Sequence, residues 1–466
     1  MDAIAVLLAA GAGRKFWPYN EVRNKCAFPI ANEPLVLRLA RQCRELGFRR
    51  IVVVVGPHEG SVRAALEPLG EDEIRFVRQP SGCAGTAHAV LAAIPSEERA
   101  SVLVAYADTW VSTDDIRATW QAVTDGAEAA ALLAPLGGID PGSWITAGLK
   151  SEESGRTLLS GLEGHGRDGS HRLAGIFALT PAVWPALRAH PGHVTHVPVG
   201  GMPAMEADLS ETLATLADRG RCVAGVVAAK PTVDLDKPWH ILEAAEAALR
   251  EKGEQLEQTG SVIADGAKIS DGADIEGPIC CEAGAVIGKR VVLSGLNWIG
   301  SNSRVINGAI VGRHSMIGRD CRISDYCQVG SAVIGDECVV GHGGEFEGVM
   351  LNRAYIYHYS EIYGVLGTCV DIGAATVCGT LRFDDGETVH RVLGKREAPR
   401  TGSNATYIGD YSRTGVNVIT QPGVKIGCNT CIGAGVVVYE DVPSRKLILL
   451  KQETVQRDWG PERYGW

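Results

Sequence analysis

From Ser261 onward, aliphatic residues return at every sixth position. Ile263, Ile269, Ile275, Ile287, Leu293, Ile299, Val305, Val311, Ile317, Ile323 and Val329 keep that spacing, with Cys281 in the one odd slot. Glycine follows at once in Ile287-Gly288, Ile299-Gly300, Val311-Gly312, Ile317-Gly318 and Val329-Gly330. A helix repeats about every 3.6 residues and a strand about every two, so neither explains this period. A parallel β-helix does, with three short sides to each coil. The phase slips by one at Ile334 and returns near Ile408, continuing through Ile426, Ile432 and Val438. Between them, residues 380–404 carry Arg382, Arg391, Lys395, Arg396 and Arg400 and are expected to loop out of the coil.

The preceding half has a different grammar. Residues 1 to about 250 alternate strand and helix patterns, which predicts a doubly wound α/β domain. The runs IVVVVG (51–56) and SVLVA (101–105) read as buried parallel strands, and 34–46 and 61–66 as helices. Residues 245–257, AEAALREKGEQLE, favour a charged helix joining the halves. The expected division is 1–245, a helical linker 246–260, the β-helix 261–445 and a tail 446–466.

Chemistry points to the first strand. An apolar run from Ile4 to Ala10 ends in Gly11, Ala12 and Gly13, where backbone N–H groups can cradle phosphate oxygens. Arg14, Lys15 and Lys25 add positive charge. The same string also reads as a tight turn with solvated basic residues. Asp108 directly follows the 102–106 strand, at the carboxyl end where open α/β sheets bind ligands. Asp234 lies in VDLDKPWHILEA, with Asp236 as its nearby competitor. Either aspartate alone reads as a helix cap or surface residue, whereas two carboxylates from different loops can hold one Mg²⁺ against phosphates.

Composition narrows the class. At 466 residues the chain needs two or three domains. Its apolar runs are too short for a membrane span, and Met1-Asp2-Ala3 lacks a basic leader region. Thirteen cysteines, an odd count, suggest reduced thiols in the cytoplasm. A net charge of −10 argues against non-specific nucleic-acid binding.

The stretch LAAGAGRKFWPYNEVRNKCAFPIANEP (8–34) resembles the N-terminal signature of the sugar-1-phosphate nucleotidyltransferases. The resemblance implies that Leu8, Ala10, Gly11 and Gly13 wrap a nucleoside triphosphate and that Lys15, Arg14 and Lys25 act on its phosphates. Lys15 stands where that family has arginine, and Asn24 where it has proline. QPSGCAGTAHAV (79–90) resembles the segment in which Gln79, Gly85 and Thr86 would read the base, uracil or thymine by preference. Without that context, Thr86 reads equally well as a helix cap, and His88 as a packing residue. The resemblance makes Asp108 and Asp234 the metal pair for Mg²⁺. It places sugar contacts at Gly148, Glu163 and Gly175, within Ala147-Gly148, Glu163-Gly164-His165 and Leu173-Ala174-Gly175-Ile176-Phe177. An asparagine and a lysine of those motifs are missing, which leaves room for an unusual sugar or cyclitol phosphate as acceptor.

The repeat resembles the left-handed β-helix of hexapeptide-repeat acyltransferases. Tyr357-His358-Tyr359-Ser360 and Asp371-Ile372-Gly373-Ala374-Ala375-Thr376 resemble motifs of the bifunctional N-acetylglucosamine-1-phosphate uridyltransferases. That implies acetyl-CoA as a second substrate and His358 as the base that deprotonates a sugar amine. Two alternatives stand beside it: a purely structural β-helix forming a homotrimer, and a non-catalytic nucleotide-sugar-binding protein. The nucleotide and metal residues all fall before residue 257, so a fragment ending there is expected to keep some nucleotidyl transfer. Lys25 is expected to be solvated and to matter little for stability.

Overall fold

A computed structural model describes residues 3–460, except 71–73, 81–82, 96–97, 138–139, 152–155, 165–168, 191, 195–204 and 313. The apolar runs form the centre of a nine-stranded sheet. Its strands are β1 (Ile4–Ala9), β2 (Arg50–Val55), β3 (Ile74–Arg78), β4 (Val102–Tyr106), β5 (Ala129–Pro135), β6 (Ile145–Ser151), β7 (Thr157–Gly164), β8 (His171–Leu179) and β9 (Val223–Val227), in the order β6-β7-β9-β5-β8-β4-β1-β2-β3. The β4-β1-β2-β3 half is wholly parallel. β8 enters antiparallel between β4 and β5. That insertion makes the sheet mixed, where the apolar runs alone predict a parallel one.

Helices cover both faces because their apolar stripes match. α1 (Leu35–Glu45) buries Leu35, Val36, Leu37, Leu39, Ala40 and Cys43 and turns Arg41 to solvent, while Arg38 lies over the Trp110 ring. α2 (Glu59–Leu66), α3 (Thr86–Ala93), α4 (Thr113–Thr124) and α5 (Leu209–Asp218) complete the layers. α4 starts at Ser112, whose hydroxyl accepts from the Asp115 N–H. α6 (His240–Thr259) begins earlier than the charged segment alone suggested, and buries Ile241, Leu242, Ala245 and Leu249.

After α6, short parallel strands stack in a 15-stranded and a 10-stranded sheet. Val262 pairs with Cys280, Lys268 with Val286 and Asp274 with Val292, so every third strand lies over the first, one turn of chain later. The in-phase side chains point inward: Cys281, Ile287, Leu293, Ile299, Val305, Val311, Ile317, Ile323 and Val329 are all buried in one core. Ile263 and Ile269, 47% and 38% exposed, and the half-buried Ile275 are the exceptions, because they belong to the first turn and, among the described residues, no strand stacks beneath them. The phase slip has a plain cause. Turns shorten first at Ile317↔Ile334 and again at Val333↔Val349, each removing a residue. Residues 380–404 then enlarge one turn, so Gly364 pairs with Thr406. Within that insertion His390–Val392 and Lys395–Glu397 form an antiparallel hairpin. It folds back toward the α/β half: Trp239 and His390 rings stand 4.9 Å apart, and Val392 joins a core that includes Trp239.

Candidate active site

The C-terminal ends of β1 and β4 lie side by side, and the Ala107 N–H donates to the Leu8 carbonyl at 3.1 Å. This brings the turn after β1 next to Asp108. Leu8 and Ala10 are half-buried there, while Gly11, Arg14 and Lys15 are exposed. Gly13, at φ 60°, lies against the Lys25 side chain, which a Cβ would approach to 3.5 Å.

Asn24 organises this turn. It is buried, and its amide donates to the carbonyls of Ala9 (3.0 Å), Gly11 (3.3 Å) and Pro57 (3.2 Å), while its Oδ1 accepts from the Cys26 N–H. Proline could make none of these bonds. The departure from the signature at position 24 therefore ties the glycine turn to the neighbouring loop.

Lys25 is the centre of charge. It is ion-paired with Asp108, and its side chain is only 16% exposed. Burial opposes its charge, but Asp108, Asp234 and Asp236 outweigh that and hold its pKa well above the ordinary value. The expectation of a solvated Lys25 is thus corrected. Asp234 reaches the site because residues Val233–Asp234 pair with Thr109–Trp110, Asp234 opposite Thr109, and the Leu235 N–H donates to the Asp108 carbonyl at 3.0 Å. Burial first, and then the Asp108 carboxylate, push the Asp234 carboxyl well above its usual range. Its Oδ1 is buried without a hydrogen-bond partner. An orphaned carboxylate oxygen on a residue beside a second carboxylate is what a cation would satisfy, so the residues fit a Mg²⁺ ion. Among the described residues no cluster of three or more metal-type side chains forms, and a two-carboxylate set leaves coordination positions for phosphate oxygens.

Asp236 is differently placed. Lys15 Nζ lies 3.1 Å and Lys237 Nζ 3.3 Å from its Oδ2. Burial would raise it, but Lys25, Lys15 and Lys237 together hold it at about 2. It is saturated with lysines, and Asp234 is the carboxylate left open.

Beside the turn, a cavity of about 720 Å³ is lined by Gly56, His58, Glu59, Arg78 and Gln79. Gln79 donates its amide to the Gly85 carbonyl at 3.1 Å. Gly85 has φ 92°, and a Cβ there would meet the Ala207 carbonyl oxygen at 2.4 Å, so glycine is required by packing. Thr86 donates to the Asp208 carboxylate from both its N–H and its hydroxyl, each at 3.2 Å. Asp208 carries no local motif and escapes a reading of the sequence. His88 packs, its Nδ1 2.8 Å from the Ala84 carbonyl.

The expected sugar contacts lie on three strands. Gly148 on β6 abuts Ser160 of β7; Glu163 on β7 is exposed; Gly175 on β8, at φ 72°, leaves no room for a Cβ beside Thr109 and Tyr106. His165 lies outside the described residues. Arg172, which the sequence did not single out, is buried in the same region, on β8. A second cavity, of about 790 Å³, lies between α6 and the stacked strands and holds none of these residues.

His358 is far along the stacked strands, exposed on the turn before Glu361–Leu366. Its ring stands 6.2 Å from those of His342 and Tyr357 and 6.5 Å from that of Tyr359.

Residues 5–265 match the family model described as the MobA-like NTP transferase domain. A bifunctional sugar-1-phosphate nucleotidylyltransferase/acetyltransferase of Sulfurisphaera tokodaii is 25% identical over 440 residues, 94% of this chain and 98% of that protein. The bifunctional protein GlmU of Methanococcus maripaludis is 25% identical over 465 residues, 98% of both chains. The solved UDP-glucose pyrophosphorylase of Acinetobacter baumanii aligns with a TM-score of 0.44 at 18% identity, over 56% of this chain and 98% of its own.

Proposed function

Because the chain belongs to the MobA-like NTP transferase domain family, we propose that it transfers a nucleotidyl group from an NTP, UTP or dTTP by preference, to a sugar 1-phosphate or sugar-like phosphate. The products are an NDP-sugar and pyrophosphate. The observation that carries this reading is the Lys25–Asp108 pair with the open Asp234 oxygen beside it, at the carboxyl end of the parallel strands and under the glycine turn.

The acceptor phosphate is already an anion, so it needs no strong base to attack the α-phosphorus in line. The chain's task is positioning and neutralisation. Leu8, Ala10, Gly11 and Gly13 present backbone to the triphosphate. Arg14 and Lys15 lie at the exposed mouth for its outer phosphates, and Lys25 balances charge nearest the carboxylates. Gln79, Gly85 and Thr86 bound the base, and Gly148, Glu163 and Gly175 the sugar. Asp108 and Asp234 would hold Mg²⁺, which neutralises phosphate charge when bound. A screen of pyrophosphate release, with each NTP against a panel of sugar 1-phosphates in Mg²⁺, tests the reading. Release with at least one pair is expected, and none with any pair would refute it.

The domain reading goes with it: an α/β unit over 1–245, a helical linker over 246–260 formed by the later part of α6, a left-handed β-helix over 261–445 and a tail over 446–466. The two sheets of parallel strands, stacked in register, support the β-helix. A homotrimer built on its flat faces, working in the cytoplasm, is the expected assembly. A second reading adds acetyl transfer from acetyl-CoA to an amino-sugar phosphate, with His358 as base. Its support is the exposed His358 among the rings of His342, Tyr357 and Tyr359, and the names of the relatives. Thiol release from acetyl-CoA that disappears in His358→Ala, with nucleotidyl transfer unchanged, is the expected result. No release from the wild type across several amino sugars removes this second reading.

A further inference from the structure

The region beside Asp234 holds an unusual set of unsatisfied polar atoms. Arg172 is 5% exposed, and its Nη2 donates to the Thr232 carbonyl at 2.8 Å. Its Nε and Nη1, both buried, have no hydrogen-bond acceptor. The Thr232 hydroxyl and Asp234 Oδ1 are likewise buried and unpartnered. Leaving a buried charged donor unsatisfied is costly, so such groups in a folded protein ordinarily wait for something.

The guanidinium is held from the other side. Trp144 lies under it, with the Arg172 Cζ 4.2 Å from the ring centroid. Glu243, on α6, acts on Arg172 through its charge, but no hydrogen bond joins the two. Thr146 on β6 pairs with both Glu163 on β7 and Arg172 on β8. Arg172 therefore stands in one cross-strand row with Glu163, an expected sugar contact, and within the electrostatic field of Asp234, an expected metal ligand.

We propose that Arg172 is a binding residue for the acceptor substrate, receiving an anionic oxygen of its phosphate on the free Nε and Nη1 while Trp144 fixes the guanidinium plane. This rests on the nucleotidyltransferase reading and deepens it. Donors on Arg172 face an acceptor phosphate, while Asp108 and Asp234, being negative, cannot bind that phosphate directly. The arrangement gives the acceptor a cationic seat of its own, separate from the Arg14, Lys15 and Lys25 group assigned to the triphosphate.

The test is equilibrium binding to the full-length protein by titration calorimetry. The probes are glucose 1-phosphate, N-acetylglucosamine 1-phosphate, inorganic phosphate, neutral glucose, and UTP with Mg²⁺. Arg172→Gln should weaken whichever phosphate-bearing acceptor probes the wild type binds by tenfold or more, the scale of a lost charged hydrogen bond. It should leave UTP affinity within about twofold and glucose unaffected. Arg172→Lys keeps the charge without the planar fork and should fall between. Trp144→Leu leaves Arg172 in place and should show a smaller loss of the same probes, which covers the case in which Arg172→Gln does not fold. Unchanged probe affinity in folded Arg172→Gln or Arg172→Lys would make Arg172 structural and overturn the proposal. So would an equal loss of UTP affinity. If the wild type binds UTP but no acceptor probe, the Arg172 assignment alone fails. If it binds neither, the nucleotidyltransferase reading fails with it.

Discussion

Arg23, in the glycine-turn stretch, is ion-paired with Asp410, a fully buried carboxylate 387 residues further along the chain. Asp410 also accepts the Thr368 N–H at 2.9 Å. Around this pair, the Tyr19 hydroxyl donates to the Val365 carbonyl at 2.8 Å and the Asn32 amide to the Ile334 carbonyl at 2.9 Å. One face of the stretch thus carries the proposed phosphate site, and the other is bolted to the stacked strands. Removing one partner of a buried pair strands the other charge. Arg23→Ala should cost about 3–5 kcal/mol and lower the melting temperature of the full chain by several degrees. Calorimetry showing no loss would make the pair incidental.

The same contacts reverse the expectation for a truncated protein. Phe16, Tyr19, Phe28, Trp110, Trp239 and Leu242 share one core with Met316, Val333, Val349, Val365 and Tyr407. Cutting near residue 257 would expose that aromatic cluster, in which Phe16, Tyr19 and Phe28 rings lie 5.4–5.9 Å apart. A fragment ending there is expected to aggregate or melt far below the full chain, in size-exclusion chromatography and circular dichroism. A monodisperse, active fragment would contradict this.

Lys25→Ala leaves Asp108, Asp234 and Asp236 without their central cation. Without metal the variant should therefore melt below the wild type, and added Mg²⁺ should raise its melting temperature by more than it raises that of the wild type. Turnover should fall roughly 10²-fold, the scale of one lost preorganised charge. Melting curves in EDTA and in Mg²⁺ measure the first effect. Identical shifts for the two proteins would place Lys25 outside the cation site.

Acid should loosen the joint between the two halves. His390 is buried, with Lys425 Nζ 3.1 Å from its Nδ1 and the Ser403 carbonyl 2.8 Å from its Nε2. Burial first, then Lys425, depress it to about 4. His240, which accepts the Asp236 N–H at 3.2 Å, is depressed by burial and Lys237 to about 3. A depressed histidine stays neutral when folded, while the unfolded chain takes up a proton below about pH 6.5. Stability is thus fully present above that value and declines toward pH 4. Between pH 6.5 and 5, His390 should contribute a loss of about 2 kcal/mol. Denaturant unfolding of His390→Gln should show a shallower decline over that range, and a parallel decline would refute the assignment.

Much of this was legible in advance, for reasons that also mark the limit. The strand of β1, the helix α1 and the inward column from Cys281 to Val329 follow from periodicity, because periodicity reports which face of its own element a residue occupies. It does not report the partner. Nothing local in Arg23 announces Asp410, and nothing in Lys25 announces its burial against three aspartates. Asn24 looked like a lost proline and is instead the residue stitching the turn. Arg172 has no motif, and its importance lies in what its nitrogens lack. The exposure of Ile263 and Ile269 was hidden because an end of a stack looks, in sequence, like its middle.

The most direct measurement follows the α-phosphorus. With α-³²P-labelled UTP or dTTP, a sugar 1-phosphate and Mg²⁺, the full-length protein should move label into an NDP-sugar while unlabelled pyrophosphate appears in equal amount. Asp108→Asn, folded but short of one carboxylate charge beside Lys25 and Asp234, should move almost none. Label that stays in the triphosphate with every acceptor, or transfer by Asp108→Asn at the wild-type rate, would contradict the account.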